Sequence, residues 1–175
     1  WVCPFDSSIK AVFDPAKNKL FADGEAIRWV AHNAAGECVG RIAAFYDKTH
    51  AYGYEQPTGG CGFFEAIDDQ ELANLMFDAS RDWLKERGME AMDGPVNFGS
   101  RDAWWGLLVE GFEYQPLFEN PYNPPYYKDL FENYGFQNYF NQNTYLWKVY
   151  DDDVNEVVYD RVKRLMSTPG YRCSP

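Results

Sequence analysis

Apolar residues recur along this chain with two different periods, and the change of period marks out its elements. Residues 7 to 13 can hold a short helix that Asp14-Pro15 ends, because the residue before a proline is pushed out of the α region. Period two then takes over. Glu25 to Ala31 and Cys38 to Tyr46 read as strands, and Asn33-Ala34-Ala35-Gly36 between them has the turn chemistry of a hairpin. A third strand is expected over Cys61 to Ile67, after a loop around Pro57, Gly59 and Gly60. Next, Leu72, Leu75, Met76, Ala79 and Trp83 fall at helical spacing and predict one apolar face. Asp68 and Glu71 fit a capping box at its start, and Gly88 stops it behind the basic turn of Lys85 and Arg87.

A fourth strand is expected over Met89 to Val96, followed by an irregular, ring-rich stretch from 98 to 120 that includes Trp104 and Trp105. Asn123 can cap a second helix whose first turn holds Pro124 and Pro125, with Tyr127, Leu130, Phe131 and Tyr134 as its buried stripe and Gly135 at its end. Two short strands, near Phe136 to Phe140 and Thr144 to Val149, would follow. A trailing helix carries Val154, Val157, Val158, Val162, Leu165 and Met166. Asp151-Asp152-Asp153 before it reads as helix-dipole complementarity rather than as a metal site, so no metal is expected. Alternation of this kind implies an α/β protein: a mixed, mainly antiparallel sheet flanked by helices.

Composition narrows the classes. With 175 residues the chain is about one domain long, and 6 Trp, 13 Tyr and 13 Phe argue against disorder. A formal charge of −11 opposes sequence-independent nucleic-acid binding, which needs Lys and Arg to neutralise phosphates. No apolar run approaches the ~20 residues that span a bilayer, so no membrane partner is expected. Cys3, Cys38, Cys61 and Cys173 form no C-x-x-C pair and have only two histidines to help them, which excludes zinc and thioredoxin-type motifs. Four free thiols in a reducing compartment, the cytoplasm, is the favoured reading over two disulfides.

The element order, together with Gly40-Arg41-Ile42-Ala43-Ala44 and Leu130-Phe131-Glu132-Asn133-Tyr134-Gly135-Phe136, resembles the GNAT superfamily of acyl-CoA N-acyltransferases. Further words are similar to an uncharacterised bacterial GNAT-like family: Gly62-Phe63-Phe64-Glu65-Ala66-Ile67-Asp68-Asp69-Gln70-Glu71, Gly94-Pro95-Val96-Asn97, Trp105 to Phe112, and Pro121 to Tyr127. The resemblance implies a GNAT-like domain over residues 1–150 that lacks its first strand. It also implies that 151–175 form a helix and linker leading toward a second domain.

The likeness further implies acyl transfer from acetyl-CoA or another acyl-CoA to an amine of a small molecule or peptide. The thioester arm would lie where the third and fourth strands splay apart. Phe64, Ala66 and Ile67 would offer main-chain contacts, Val96 and Asn97 would face them, and Gln70 and Asn123 complete the implied cofactor-binding set. The sequence departs from the superfamily where the pyrophosphate should bind: Asp68-Asp69-Gln70-Glu71 replaces a glycine-rich loop. Like charges ~4 Å apart at an effective dielectric of ~20 cost about 4 kcal/mol, against the ~0.3–1 kcal/mol that a helix N-terminus contributes.

Phe131 stands where many members carry a tyrosine that protonates the leaving thiolate. Tyr127 is then the candidate acid, against the reading that its helical stripe simply buries it. Glu65, a carboxylate between apolar strand neighbours, is the candidate base, unless strand alternation turns it to solvent. Trp104, Trp105 and Tyr126 are candidate substrate contacts, with a small loop core as the alternative. His32 and His50 read as surface residues. Two functional classes therefore remain open: an N-acyltransferase, or a non-catalytic GNAT-like module that binds a ligand or docks on another domain. Glycan recognition by the aromatic loop is a third, resting on composition alone.

Overall fold

The computed structural model describes residues 4–53, 55–146 and 156–170. The chain divides into two compact units, Trp1–Gln137 and Asn138–Pro175. The first contains helix α1 (Asp6–Val12), a 3-10 turn (Lys19–Ala22), strands β1 (Gly24–His32) and β2 (Cys38–Asp47), a single helical turn α2 (Lys48–Ala51), β3 (Thr58–Ala66), α3 (Gln70–Lys85), β4 (Ala91–Asp93) and α4 (Tyr127–Tyr134). The second contains α5 (Glu156–Ser167).

The four strands form one sheet in the order β1-β2-β3-β4, antiparallel except for the β3–β4 pair. This is the expected mixed, mainly antiparallel sheet with flanking helices. The hairpin between β1 and β2 closes on Asn33, whose Oδ1 accepts the N–H groups of Ala35 and Glu37, with Gly36 in the left-handed region at φ +81°. The parallel β3–β4 pair needs a crossover, and α3 supplies it.

Strand β2 lies at the centre of the fold. Ile42, Ala43, Ala44 and Phe45 are all buried, so consecutive residues feed the cores on the two faces of the sheet. On one face Ile42 packs with Phe64, Met76, Phe77, Leu130 and Phe131 beneath α3 and α4. On the other, Ala43 and Phe45 pack with Val96 and Phe98 beneath Phe13, Leu20 and Phe21 of the N-terminal segment. Phe77 is fully buried and stacks on Phe64 at 4.9 Å, and truncating such a side chain to alanine costs ~3–5 kcal/mol. Gly40 and Gly59 leave the room that Met76 and Leu84 fill, which lets α3 approach the sheet closely.

Several sequence expectations are corrected. The apolar stripe of α3 lies one position on from the predicted one: Ala73, Met76, Phe77, Ser80 and Leu84 are buried, whereas Leu75 is exposed. The predicted set follows the same period, but α4 covers the neighbouring face. Asp69, not Asp68, caps α3, accepting from the N–H groups of Glu71 and Leu72. Strand β3 begins at Thr58, and β4 is confined to Ala91–Asp93 because Gly94-Pro95 follows and proline has no N–H to donate. Helix α4 begins at Tyr127, because the side chain of Asn123 is committed to the loop at Leu108. No strand forms over residues 136–146; their aromatic positions are interrupted by Gln137, Asn138, Asn141, Gln142 and Asn143. Residues 147–149 of the second expected strand, Val154 and the 151–153 acidic triplet lie outside the described residues.

In the second unit the apolar positions Val158, Val162, Leu165 and Met166 of α5 are exposed. Among the described residues no helix is long and apolar enough to cross a membrane. Cys38 and Cys61 are free thiols; Cys3 and Cys173 lie outside the described residues.

Candidate functional site

The pairing of β3 with β4 is short and ends early. Their ladder runs through Thr58↔Ala91, Gly59↔Met92 and Gly60↔Asp93, and a last bond joins the Val96 N–H to the Cys61 carbonyl oxygen at 2.8 Å. At Gly62 the two chains press together so closely that a Cβ there would collide with the Val96 carbonyl. Beyond it β3 bulges. Two residues of β3, Phe63 and Phe64, oppose one of β2, Ile42, between the pairs Arg41↔Glu65 and Ala43↔Gly62, and Phe63 is left-handed at φ +51°. The bulge sends Phe63 to the core beneath the N-terminal segment and Phe64 to the core beneath α3 and α4.

Past the bulge, two tyrosines from the start of α4 meet β3. The Tyr126 hydroxyl donates to the Ala66 carbonyl oxygen at 2.8 Å, and the Ala66 N–H donates to the Tyr127 hydroxyl at 2.9 Å. Both main-chain groups of Ala66 are thereby satisfied by side chains. Tyr127 is buried, edge-on to Phe64 at 5.1 Å, and burial pushes its hydroxyl up to about 12. Gln70 ties α3 to α4, its Nε2 donating to the Leu130 carbonyl at 3.0 Å while its Oε1 accepts from Asn133 at 3.1 Å.

The start of α3 does not suit a pyrophosphate. Asp69 already occupies the Glu71 and Leu72 N–H groups, at 2.9 and 3.1 Å, and Asp68 and Glu71 add negative charge around them. The residues present therefore do not fit the diphosphate of CoA at this position. Among the described residues no group of three or more His, Cys, Asp or Glu side chains is placed to hold a metal ion.

The remaining candidates fall elsewhere. Glu65 faces solvent and pairs with Arg41 at 2.7 Å, both side chains well exposed. Ile67 is half exposed. Asn123 clasps the main chain of Leu108 on both sides, accepting its N–H at 2.8 Å and donating to its carbonyl at 3.1 Å. Trp104 packs against Phe63. Val96, Asn97 and Trp105 line a separate recess of about 140 Å³, bordered also by Gly60 and by Asp93, the last ladder pair of β3 and β4.

That recess gathers charged residues absent from the sequence-based set. Buried Asp47 holds the exposed ring of His50, Nδ1 to Oδ1, at 2.7 Å and also accepts the His50 N–H at 3.0 Å. The guanidinium of Arg101 lies 5.1 Å from the Trp105 ring centre. Asp93 remains open to solvent, yet partial burial pushes its carboxyl above the usual range, with Arg101 opposing the shift. Asn97 is 6% exposed; its Nδ2 donates to the Ser100 carbonyl, and its Oδ1 has no hydrogen-bond partner among the described residues. The signal available in the sequence was Asp47-x-x-His50 at the end of a strand, a spacing at which a capping carboxylate reaches an imidazole.

No family model matches the sequence. The chain is 37% identical over 108 residues to Protein YghO of Escherichia coli, covering 62% of this chain and 27% of that protein. It is 31% identical over 170 residues to the Bacterial ceramide synthase of Caulobacter vibrioides, covering 94% of this chain and 42% of that one. The chain thus spans less than half the length of either relative. A solved structure named "Putative acetyl transferase from Pyrococcus furiosus" aligns over 85% of this chain at 14% identity and a TM-score of 0.42.

Proposed function

We propose that this chain is part of a longer N-acyltransferase that joins an acyl group, carried as a thioester, to the amino group of a long-chain amino alcohol. The observation that carries this reading is the 31% identity over 94% of the chain to a protein named for ceramide synthesis. A ceramide is the amide of such an amino alcohol, so its synthesis requires N-acylation.

The end of the β3–β4 ladder beyond Cys61 and Val96 supports the same reading, because an unpaired strand stretch offers main-chain groups to an extended thioester arm. The start of α3 supplies no diphosphate site, so a CoA donor would place its pyrophosphate elsewhere. The acceptor amine and a further domain of the longer protein are the partners this function calls for.

The test is an assay of the full-length protein with sphinganine and C2 to C18 acyl thioesters of both CoA and acyl carrier protein. Mass spectrometry should detect the N-acyl product with at least one donor; none with any donor would overturn the reading.

One observation favours a non-catalytic module instead. The Tyr126 and Tyr127 hydroxyls occupy Ala66, one of the strand positions a donor arm would use. In that case the thioesters should neither bind nor react, and Tyr126→Phe should leave both results unchanged.

A further inference from the structure

The recess beside the Gly60–Asp93 pair has three properties that belong together. It adjoins the point where the β3–β4 ladder ends, since Asp93 is the last paired residue of β4 and Val96 makes the final bond to Cys61. Among the described residues its ionisable lining is Asp47, Asp93, Arg101, His50 and Tyr46, two carboxylates against one guanidinium when the imidazole and phenol are neutral. Buried Asn97 adds an amide whose carbonyl oxygen has no partner among the described residues, an acceptor suited to a ligand hydroxyl or N–H.

The geometry points to this recess as the site of the amine that is acylated: it takes a primary ammonium with an adjacent hydroxyl, and His50 removes the proton. This rests on the acyl-transfer reading above. A single excess negative charge selects a cationic head over a neutral or anionic one. A recess of about 140 Å³ has room for a polar head group.

An ammonium is not a nucleophile until it loses a proton. Asp47 accepts from the His50 ring at Nδ1, which leaves the lone pair on Nε2. In the step proposed, one N–H bond of the ammonium breaks, its electron pair stays on the nitrogen, and the proton passes to Nε2. The resulting imidazolium is stabilised by Asp47, which is buried and fixed as the cap of α2.

The test uses full-length protein and a water-soluble probe, 2-amino-1,3-propanediol, with glycerol as the same skeleton lacking the amine. By calorimetric titration the amine should bind at least tenfold tighter than glycerol, and Asp93→Asn should remove at least tenfold of that affinity with the circular dichroism unchanged. His50→Gln, at an exposed side chain, should keep amine affinity within threefold while lowering kcat for acylation about 100-fold. Equal binding of the two probes, or amine binding untouched by Asp93→Asn, would overturn the site. A His50→Gln enzyme with kcat within threefold of the parent would overturn the base. Amine binding through Asp93 without acyl transfer from any thioester would remove the acyl-transfer reading and His50's role while leaving the amine site standing.

Discussion

The hydroxyl of Tyr127 accepts the main-chain N–H of Ala66 at 2.9 Å, joining residues 61 positions apart in the chain. Tyr127 is 6% exposed and Ala66 9%, so water cannot replace the phenol easily. Tyr127→Phe keeps the ring contact with Phe64 but leaves a buried donor unpaired. Such a loss costs about 1–3 kcal/mol. Chemical denaturation should show a lower midpoint with an unchanged slope. Tyr126→Phe, at a side chain less buried than Tyr127, should cost less than Tyr127→Phe in the same measurement.

Gly62 tests how tightly the strands are held before they part. An added methyl there meets the Val96 carbonyl oxygen, a main-chain atom that cannot swing aside as a side chain would. Gly62→Ala should therefore break the Val96–Cys61 bond or shift the segment after β4, destabilising the protein by more than the ~1 kcal/mol of a typical substitution. Gly36→Ala makes a useful contrast. Nothing lies within 4 Å of its Cβ position, and only its positive φ resists the change. Its melting temperature should fall less than that of the Gly62 variant.

Much of the first unit could be read from period alone, and the reasons for the failures are physical. Strands β1 and β2 and helix α3 announce themselves because each repeats its pattern over nine residues or more. The face of α3 lies one position on from the one its hydrophobicity predicts, because Leu75 is apolar yet exposed while Phe77 packs against Phe131 and Tyr134 of α4; hydrophobicity could not say where the neighbour sits. Asn123 has the chemistry of a cap, and it spends that chemistry on Leu108 instead. The Tyr126–Ala66–Tyr127 clasp and the Asp47–His50 pair differ in legibility. The first joins distant segments and leaves no local pattern. The second is a three-residue spacing visible in the sequence, whose importance depends on Asp93 arriving from β4 and Asn97 from the loop beyond it.

Glu65 and His50 are competing candidates for the proposed base, and their settings differ. The Glu65 carboxylate is held by Arg41 at 2.7 Å on an exposed surface, and its strand neighbour Ala66 rather than Glu65 itself receives the tyrosine hydroxyls. Exposed ion pairs contribute ~0–1 kcal/mol. Glu65→Gln should thus shift stability by no more than about 1 kcal/mol, and acyl transfer by the full-length protein should stay within threefold of the parent. A hundredfold loss of kcat with the fold intact would transfer the base's role to Glu65.

Asp93 gives a pH signature to the recess. Partial burial raises its carboxyl above 3.8 in the folded protein, and Arg101 only partly counters this. The protonated form is therefore favoured by folding. Its contribution to stability is complete below the unfolded value and is lost as pH rises through the folded one, so at neutral pH the ionised carboxylate carries a cost. Asp93→Asn removes that cost. Because the residue is open to solvent the gain should be small, a rise in melting temperature at pH 7 of no more than about 2–4 °C. The advantage over the parent should shrink as pH falls and vanish below 3.8. A variant that melts higher at neutral pH yet binds 2-amino-1,3-propanediol more weakly separates the charge kept for a ligand from a charge kept for the fold. A variant that melts lower at pH 7 than at pH 3, relative to the parent at each pH, would mean that Asp93 is anchored by a stabilising partner instead.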